Sequence, residues 1–283
     1  MFEVYEKLPF EKYVQLPGVH ASGLKHALVS ALQYQHDELE PPPDSDTFRQ
    51  GRAAHTAILE PHRLLAEYAE WQDKHEDGRT RPRNGGAWDD FQSANAGKTI
   101  LKPAQYQMAC VVRDVVRDHP VAGPLVRGPG RNELSLRWKH KRTNADCKSR
   151  LDRIIATAIV DIKLTHDVGP RVFGNTAARF KYHLQGAFYR DAAEACGFGR
   201  LPVKIVAIQD KAPHDVIVYD LGDDLLAQGQ EDYERAIDIV LACRAKQQWP
   251  GQAVEHELPL FLPAWAVGAD DSEPITFGDQ VIG

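Results

Sequence analysis

Residues Cys147 to Thr165, reading CKSRLDRIIATAIVDIKLT, hold two runs rich in Val, Ile and Leu, each interrupted by one aspartate. Short aliphatic runs read as strands, and one arrangement is an antiparallel pair turning near Ala156 and Thr157. Antiparallel pairing about that turn sets Asp152 roughly opposite Asp161, with Cβ atoms about 5 Å apart, so both carboxylates can share one cation. Lys163 lies two residues beyond Asp161 and projects from the same face. Strands seldom place three charges on one face, and two arrangements account for these. One is an edge hairpin with an ion pair. The other is a hydrolytic metal site, in which the two carboxylates and the Ile162 carbonyl hold Mg²⁺ while the lysine steadies a phosphate or an attacking hydroxide. The stretch alone does not separate them, because Ala-Thr is poor type I′ turn chemistry and a register offset of a residue or two fits as well.

The 283 residues suffice for one large core or two modest ones. With 43% hydrophobic and 26% charged residues, the composition is that of an ordinary soluble globular protein. The N-terminal MFEVYEKLPFEKY lacks the basic start and apolar run of a secretory signal. No stretch approaches the roughly 18 uninterrupted apolar residues of a membrane span. Cys110, Cys147, Cys196 and Cys243 have no CxxC spacing and read as reduced thiols of a cytoplasmic protein. A formal charge of -6 does not describe a nonspecific nucleic-acid coat protein, yet it leaves room for an enzyme that confines positive charge to a groove.

Along the chain, an amphipathic helix is expected from about Ser22 to Tyr34, with a break at Pro41 to Pro43 and an N-cap at Ser45 or Asp46. TFRQGRAAHTAILEP carries Phe48, Ala54, Ile58 and Leu59 at helical spacing and stops at Pro61. His55 then sits beside the apolar stripe, where a lone histidine is more often a boundary residue than a ligand. From Trp71 to Lys102 the pattern dissolves into HEDGRTRPRNGG and SANAGKT, a length of loop that is usually functional or disordered. Arg79, Arg81 and Arg83 there could meet phosphates, although a solvated charge run is commoner. AGKT is no phosphate loop, since Gln92 stands where GxxxxGK[ST] requires glycine. A helix returns from Pro103 to Asp118, and NELSLRWKHKR forms an alternating strand opened by Glu133. A further helix from Asn175 to Cys196 aligns Tyr182, Gln185 and Tyr189 on one face. Strands VKIVAIQ and DVIVYDL, a helix from Asp223 to Gln247 and a Pro/Gly/acid-rich tail from Trp249 complete the chain.

Taken in order, GRAAHTAILEP (51 to 61), NELSLRW (132 to 138), CKSRLDRI (147 to 154), VDIKLT (160 to 165) and YHLQGAFY (182 to 189) resemble the PD-(D/E)xK nuclease superfamily. More narrowly they resemble its RecE-type branch, the nuclease domain of exodeoxyribonuclease VIII and its phage-derived relatives. ASGLKHALVSALQY, residues 21 to 34, is similar to the segment that opens that domain. The resemblance spans most of residues 20 to 220. It implies an α/β fold with a restriction-endonuclease-like core, a mixed central β-sheet flanked by helices. The expected organisation is one nuclease domain with its core at about 46–247, an N-terminal helical segment at 1–45 and a C-terminal tail at 249–283.

By the same resemblance Asp152, without the usual preceding proline, is the first acid of the signature, Asp161 the second and Lys163 the lysine. His55 becomes a metal ligand or neighbour, Glu133 completes the acidic cluster, and Gln185 and Tyr189 line the DNA side. Thr165 follows the lysine by two, whereas Leu164 stands where many members carry threonine. Arg150, two residues before Asp152, is either a phosphate contact or an arginine balancing the acids. The expected activity is Mg²⁺-dependent exonuclease action on linear duplex, with Mn²⁺ an alternative ion and 5′-to-3′ polarity taken from the family. A homo-oligomeric ring is expected, its channel lined by Arg79 to Arg83 and Arg137 to Arg142, with a single-strand annealing protein as partner in phage-type recombination. The rivals are an endonuclease on the same core and a DNA-end-binding protein without turnover. An iron-sulfur nuclease is disfavoured by the scattered cysteines.

Overall fold

The computed structural model describes residues 2–40, 43–72, 75, 77–79, 81–253, 257–260, 275–277 and 280–282. Its centre is a six-stranded sheet in the order β1 (Phe2–Tyr5), β4 (Arg131–Lys139), β5 (Asp146–Ile155), β6 (Ala158–Thr165), β7 (Val203–Gln209) and β8 (Val216–Leu221). Only β6 and β7 run parallel, and the crossover between them carries α9 (Pro170–Arg179) and α10 (Tyr182–Ala195). The sheet is therefore mixed, as parallel neighbours need a long connection while hairpins supply the rest.

Helices cover both faces. On one lie α2 (Ala21–Ala27), α3 (Ala31–Leu39), α10 and the long α11 (Asp223–Lys246), packed on Leu134, Leu136, Trp138, Leu151, Ile159 and Ile205. On the other lie α4 (Asp46–Leu59), α7 (Pro103–Asp118) and α8 (Ala122–Val126), packed on Val160, Ile162, Val206 and Ile208. Ser45 caps α4 by accepting from the Phe48 amide, and Pro61 ends it by starting α5 (Pro61–Glu67). Pro103 opens α7 in the same manner.

Several expectations are corrected. The first residues are not wholly helical: β1 adds an edge strand to β4, and a short α1 (Phe10–Gln15) follows. The single helix expected from Ser22 becomes α2 and α3, because Ser30 caps a new start by accepting from Gln33 N. The stretch from Trp71 is not without regular structure among the described residues. It holds α6 (Gly86–Ala94), and a parallel pair, β2 (Tyr68–Glu70) and β3 (Thr99–Leu101), closes it. The helix expected from Asn175 to Cys196 breaks at Phe180 and Lys181, where Lys181 adopts a left-handed φ of 52°. Phe48 is exposed rather than part of the apolar stripe. Trp249 stacks on Tyr34, whereas most of the tail beyond it lies outside the described residues apart from a small hairpin, β9 (Ile275–Phe277) and β10 (Gln280–Ile282).

The crossing of α10 and α11 fixes where α10 presents its polar face. Gly229 lets the backbones meet, since a Cβ there would fall well inside contact distance of the His183 carbonyl. Gly229→Ala is expected to destabilise the fold by about 2–3 kcal/mol. A lower midpoint in urea denaturation with an unchanged slope checks this.

Candidate active site

The β5–β6 ladder runs from the turn to the Arg153–Val160 pair and then stops. Beyond that point β5 stays with β4 and β6 stays with β7, so the sheet forks. Continuing the register by one residue brings Asp152 level with Asp161, at the base of the fork. A fork leaves backbone amides without ladder partners, and each needs another acceptor. The Asp152 carboxylate supplies one, accepting from Ile162 N at 2.8 Å. A strand residue turns its N–H and C=O to the same side, so the Ile162 carbonyl also faces the fork.

The alternation of β4 and β5 slips at the same level. Leu151 and Ile154 both pack on the α10 side although three residues apart, while Arg153 donates to carbonyls of Leu125 and Gly128 on the other. On β4 the slip falls at Glu133, which takes a left-handed φ of 51°. Non-glycine residues hold such a conformation only when their surroundings enforce it. Here the enforcement is visible: Arg150 donates to Glu133 Oε2 at 2.7 Å, to the Leu8 carbonyl at 2.7 Å and to Ser135 Oγ at 3.2 Å. Of the two readings of Arg150, balancing an acid describes where its guanidinium sits.

Two groups of residues meet at Asp152. From the α4 side, His55 brings Nδ1 to 3.6 Å from Asp152 Oδ2. One ligand atom from each of His55, Glu133 and Asp152 lies within 4.8 Å of the others. From the α10 side, Asp161 and Lys163 pair at 2.6 Å, both nearly buried. Asp161 Oδ1 is buried and has no hydrogen-bond partner among the described residues. Gln185 donates to the Tyr189 hydroxyl at 2.6 Å. His55, Glu133 and Asp152 together offer an imidazole and two carboxylates, donors that fit a hard divalent cation, while Asp161, with its orphaned oxygen, stands outside that trio.

Burial pushes the Asp152 carboxyl up to about 6, with Asp161 and Glu133 adding to the shift and His55 and Lys163 opposing it. Burial alone would lower Lys163, yet Asp161 and Asp152 outweigh it and hold the ammonium above its ordinary value. Burial, then the two aspartates, raise the Tyr189 phenol well above its usual range.

Lys25 is a residue that sequence reasoning missed. It is half-buried on α2, and burial together with the Lys163 cation pushes it down to about 8 against the pull of Asp161. The signal was a lysine next to Leu24 on a helix whose Ala21, Leu24 and Ala27 are buried. Arg79 pairs with Asp77 in solvent, the Arg81 carbonyl accepts from Trp71 Nε1, and Arg83 lies 5.4 Å over the Trp88 ring. In the basic run from Arg137 to Arg142, Arg137 pairs with Glu3 and Asp146, Lys139 with Asp146, and Arg142 with Glu234 and Asp238. Among the described residues no helix is long and apolar enough to cross a membrane.

The comparisons with known proteins agree with this fold. The sequence profile of a PDDEXK-like domain of unknown function, DUF3799, matches residues 22–258. A solved structure from Eubacterium rectale, described as a "putative exonuclease", has the same fold, with a TM-score of 0.61 at 15% identity over 94% of this chain and 99% of that one. A search of curated proteins returns no match.

Asp152→Asn keeps an acceptor for Ile162 N–H while removing a buried charge. The folded carboxyl titrates near 6, above the ordinary 3.8, so its ionised form costs stability in full above pH 6 and the cost fades toward pH 4. In EDTA at pH 8 the variant is expected to be more stable than the parent by about 2–3 kcal/mol, with the two converging near pH 4. Thermal melting at both pH values checks the sign.

Proposed function

Because the chain belongs to the PDDEXK-like DUF3799 family, we propose that it is a divalent-metal-dependent DNA exonuclease that degrades one strand of linear duplex. The reading includes Mg²⁺ as the ion, with Mn²⁺ able to replace it, a 5′-to-3′ direction, and service in a phage-type recombination system beside a single-strand annealing protein. The observation that carries it is the junction of Asp152 and Asp161 at the fork, with Lys163 paired to the second acid and one Asp161 oxygen left open.

Asp152, Asp161, Glu133, His55 and the Ile162 carbonyl would hold the ion. Bound there, it supplies a charge sink for the extra negative charge of phosphodiester hydrolysis. The remaining work falls to side chains. Lys163, kept protonated by its carboxylate neighbours, donates to the attacking water or to a phosphate oxygen and so favours the developing negative charge. With Gln185 donating to the Tyr189 oxygen, the phenolic hydrogen remains for a phosphate oxygen, and its raised pKa keeps that hydrogen in place. Lys25 adds a cation to the same wall. Arg150 positions Glu133. Assembly into a ring would account for processivity. A monomer in light scattering at micromolar concentration would remove that part of the proposal alone.

Linear duplex labelled at the 5′ or the 3′ end, incubated with Mg²⁺ or EDTA, tests the reading. Mg²⁺-dependent release of 5′-labelled mononucleotides is expected, falling at least about 100-fold in Asp161→Ala and in Lys163→Ala. Cleavage of covalently closed circles would replace the exonuclease with an endonuclease. Binding without cleavage of any substrate would leave a DNA-end-binding protein.

A further inference from the structure

A file of aromatic rings leads outward from Lys163. The ammonium lies 5.0 Å from the centroid of the Tyr182 ring, on its face. Tyr182 runs parallel to Phe180 at 6.0 Å and 17°, and the Arg179 guanidinium lies 5.6 Å over Phe180. The inner ring is anchored: Tyr182 packs against Phe173, which stacks on Tyr219 at 4.8 Å, and the Tyr219 hydroxyl donates to the Val168 carbonyl. The outer ring is open, with Phe180 48% exposed.

The backbone that holds Phe180 outward is fixed as well. Lys181, between the two rings, takes the left-handed conformation, and its ammonium lies 3.3 Å from Asp232 on α11. Asp232 is buried and also meets His183 at 3.2 Å, so the kink between α9 and α10 is tied to the helix behind it. The order of chemistry along the surface is cation, ring, ring, cation, beginning at the lysine of the cleavage centre.

We propose that Phe180 and Tyr182 form a stacking platform for an unpaired nucleobase of the strand being hydrolysed, with Arg179 on the phosphate that flanks it. The proposal rests on the nuclease reading above and adds what holds the substrate beside the centre. A nucleotide joins a flat π face to a negative phosphate, and the file offers rings with a cation at each end. Every base has a π face, so stacking grips a strand without regard to sequence. That suits hydrolysis proceeding through arbitrary DNA. It also gives an exposed phenylalanine beside a charged site an occupant that both its ring and the neighbouring cations fit.

The test uses the full chain carrying Asp161→Asn, which binds without turnover, and linear duplexes with 2-aminopurine at each of the first four positions from either end. Stacking quenches the fluorescence at one position. Adding Phe180→Ala or Phe180→Leu is expected to abolish the quench and weaken binding about ten-fold, while Phe180→Trp restores both. In the otherwise unmodified protein, Phe180→Ala raises KM for linear DNA with kcat changed less than two-fold. Phe180 is exposed, so melting curves of these variants should overlay the parent. Quenching and affinity unchanged in Phe180→Ala and Phe180→Leu would overturn the platform and leave the nuclease reading standing. Quenching lost as expected but no cleavage by the unmodified protein with Mg²⁺ or Mn²⁺ would overturn the nuclease reading and leave a base-stacking surface. Absence of any DNA binding would overturn both.

Discussion

The hydrogen bond from the Ile162 amide to the Asp152 carboxylate allows the sheet to divide. A strand that leaves its neighbour exposes amides and carbonyls that must find other partners, and most forks would fill with water. Here a carboxylate takes the place of a ladder carbonyl. The substitution satisfies the backbone but brings a negative charge into the interior, where it is costly unless another charge answers it. His55 and Lys163 are part of that answer, while burial, Asp161 and Glu133 still hold the Asp152 carboxyl above its ordinary value.

Because the fork opens through the sheet, the site draws on both helical layers. The α4 layer gives His55 and, through the strained turn of β4, Glu133. The opposite layer gives the Asp161–Lys163 pair, the Gln185–Tyr189 pair and Lys25. Each side is held by residues with no chemistry of their own: Arg150 pins Glu133 to the N-terminal segment, and Gly229 lets α11 brace α10. A centre built on strands and braced helices keeps its geometry better than one built on loops, which matters where small displacements cost rate. The strain at Glu133 and the unmatched charge at Asp152 are stability given up at the site, a common trade in enzymes.

Much of this was legible in the sequence because local chemistry decided it. Aliphatic runs about a short turn gave the hairpin but not its register, which only the Arg153–Val160 pairing fixes; Ser45, Pro61 and Pro103 marked helix ends; the spacing of Asp161 and Lys163 put them on one face. What was not legible depended on partners distant in the chain. A lysine at a left-handed position carries no glycine-like signal, so the break at Lys181 was hidden, and its tie to Asp232 lies 51 residues away. The slip at Glu133 is invisible until Arg150 and the Leu8 carbonyl are in place. The basic run from Arg137 to Arg142 read as a channel lining, and its ion pairs with Glu3, Asp146, Glu234 and Asp238 were hidden because those acids lie on other segments. Four residues of β1 were too few to read as a strand without β4 to pair with.

The fork also sets an order of assembly. Asp152, Asp161 and Lys163 come from one hairpin, a unit that forms in about microseconds. His55 lies far earlier in the chain, and α10 and α11 follow later, so the other walls of the site require closing long loops. A chain caught midway, including one still emerging during synthesis, holds the acid pair with neither the imidazole nor the Gln185–Tyr189 wall. Any chemistry of the complete site therefore arises with the last docking events of folding, and an unfinished or unravelling copy lacks it.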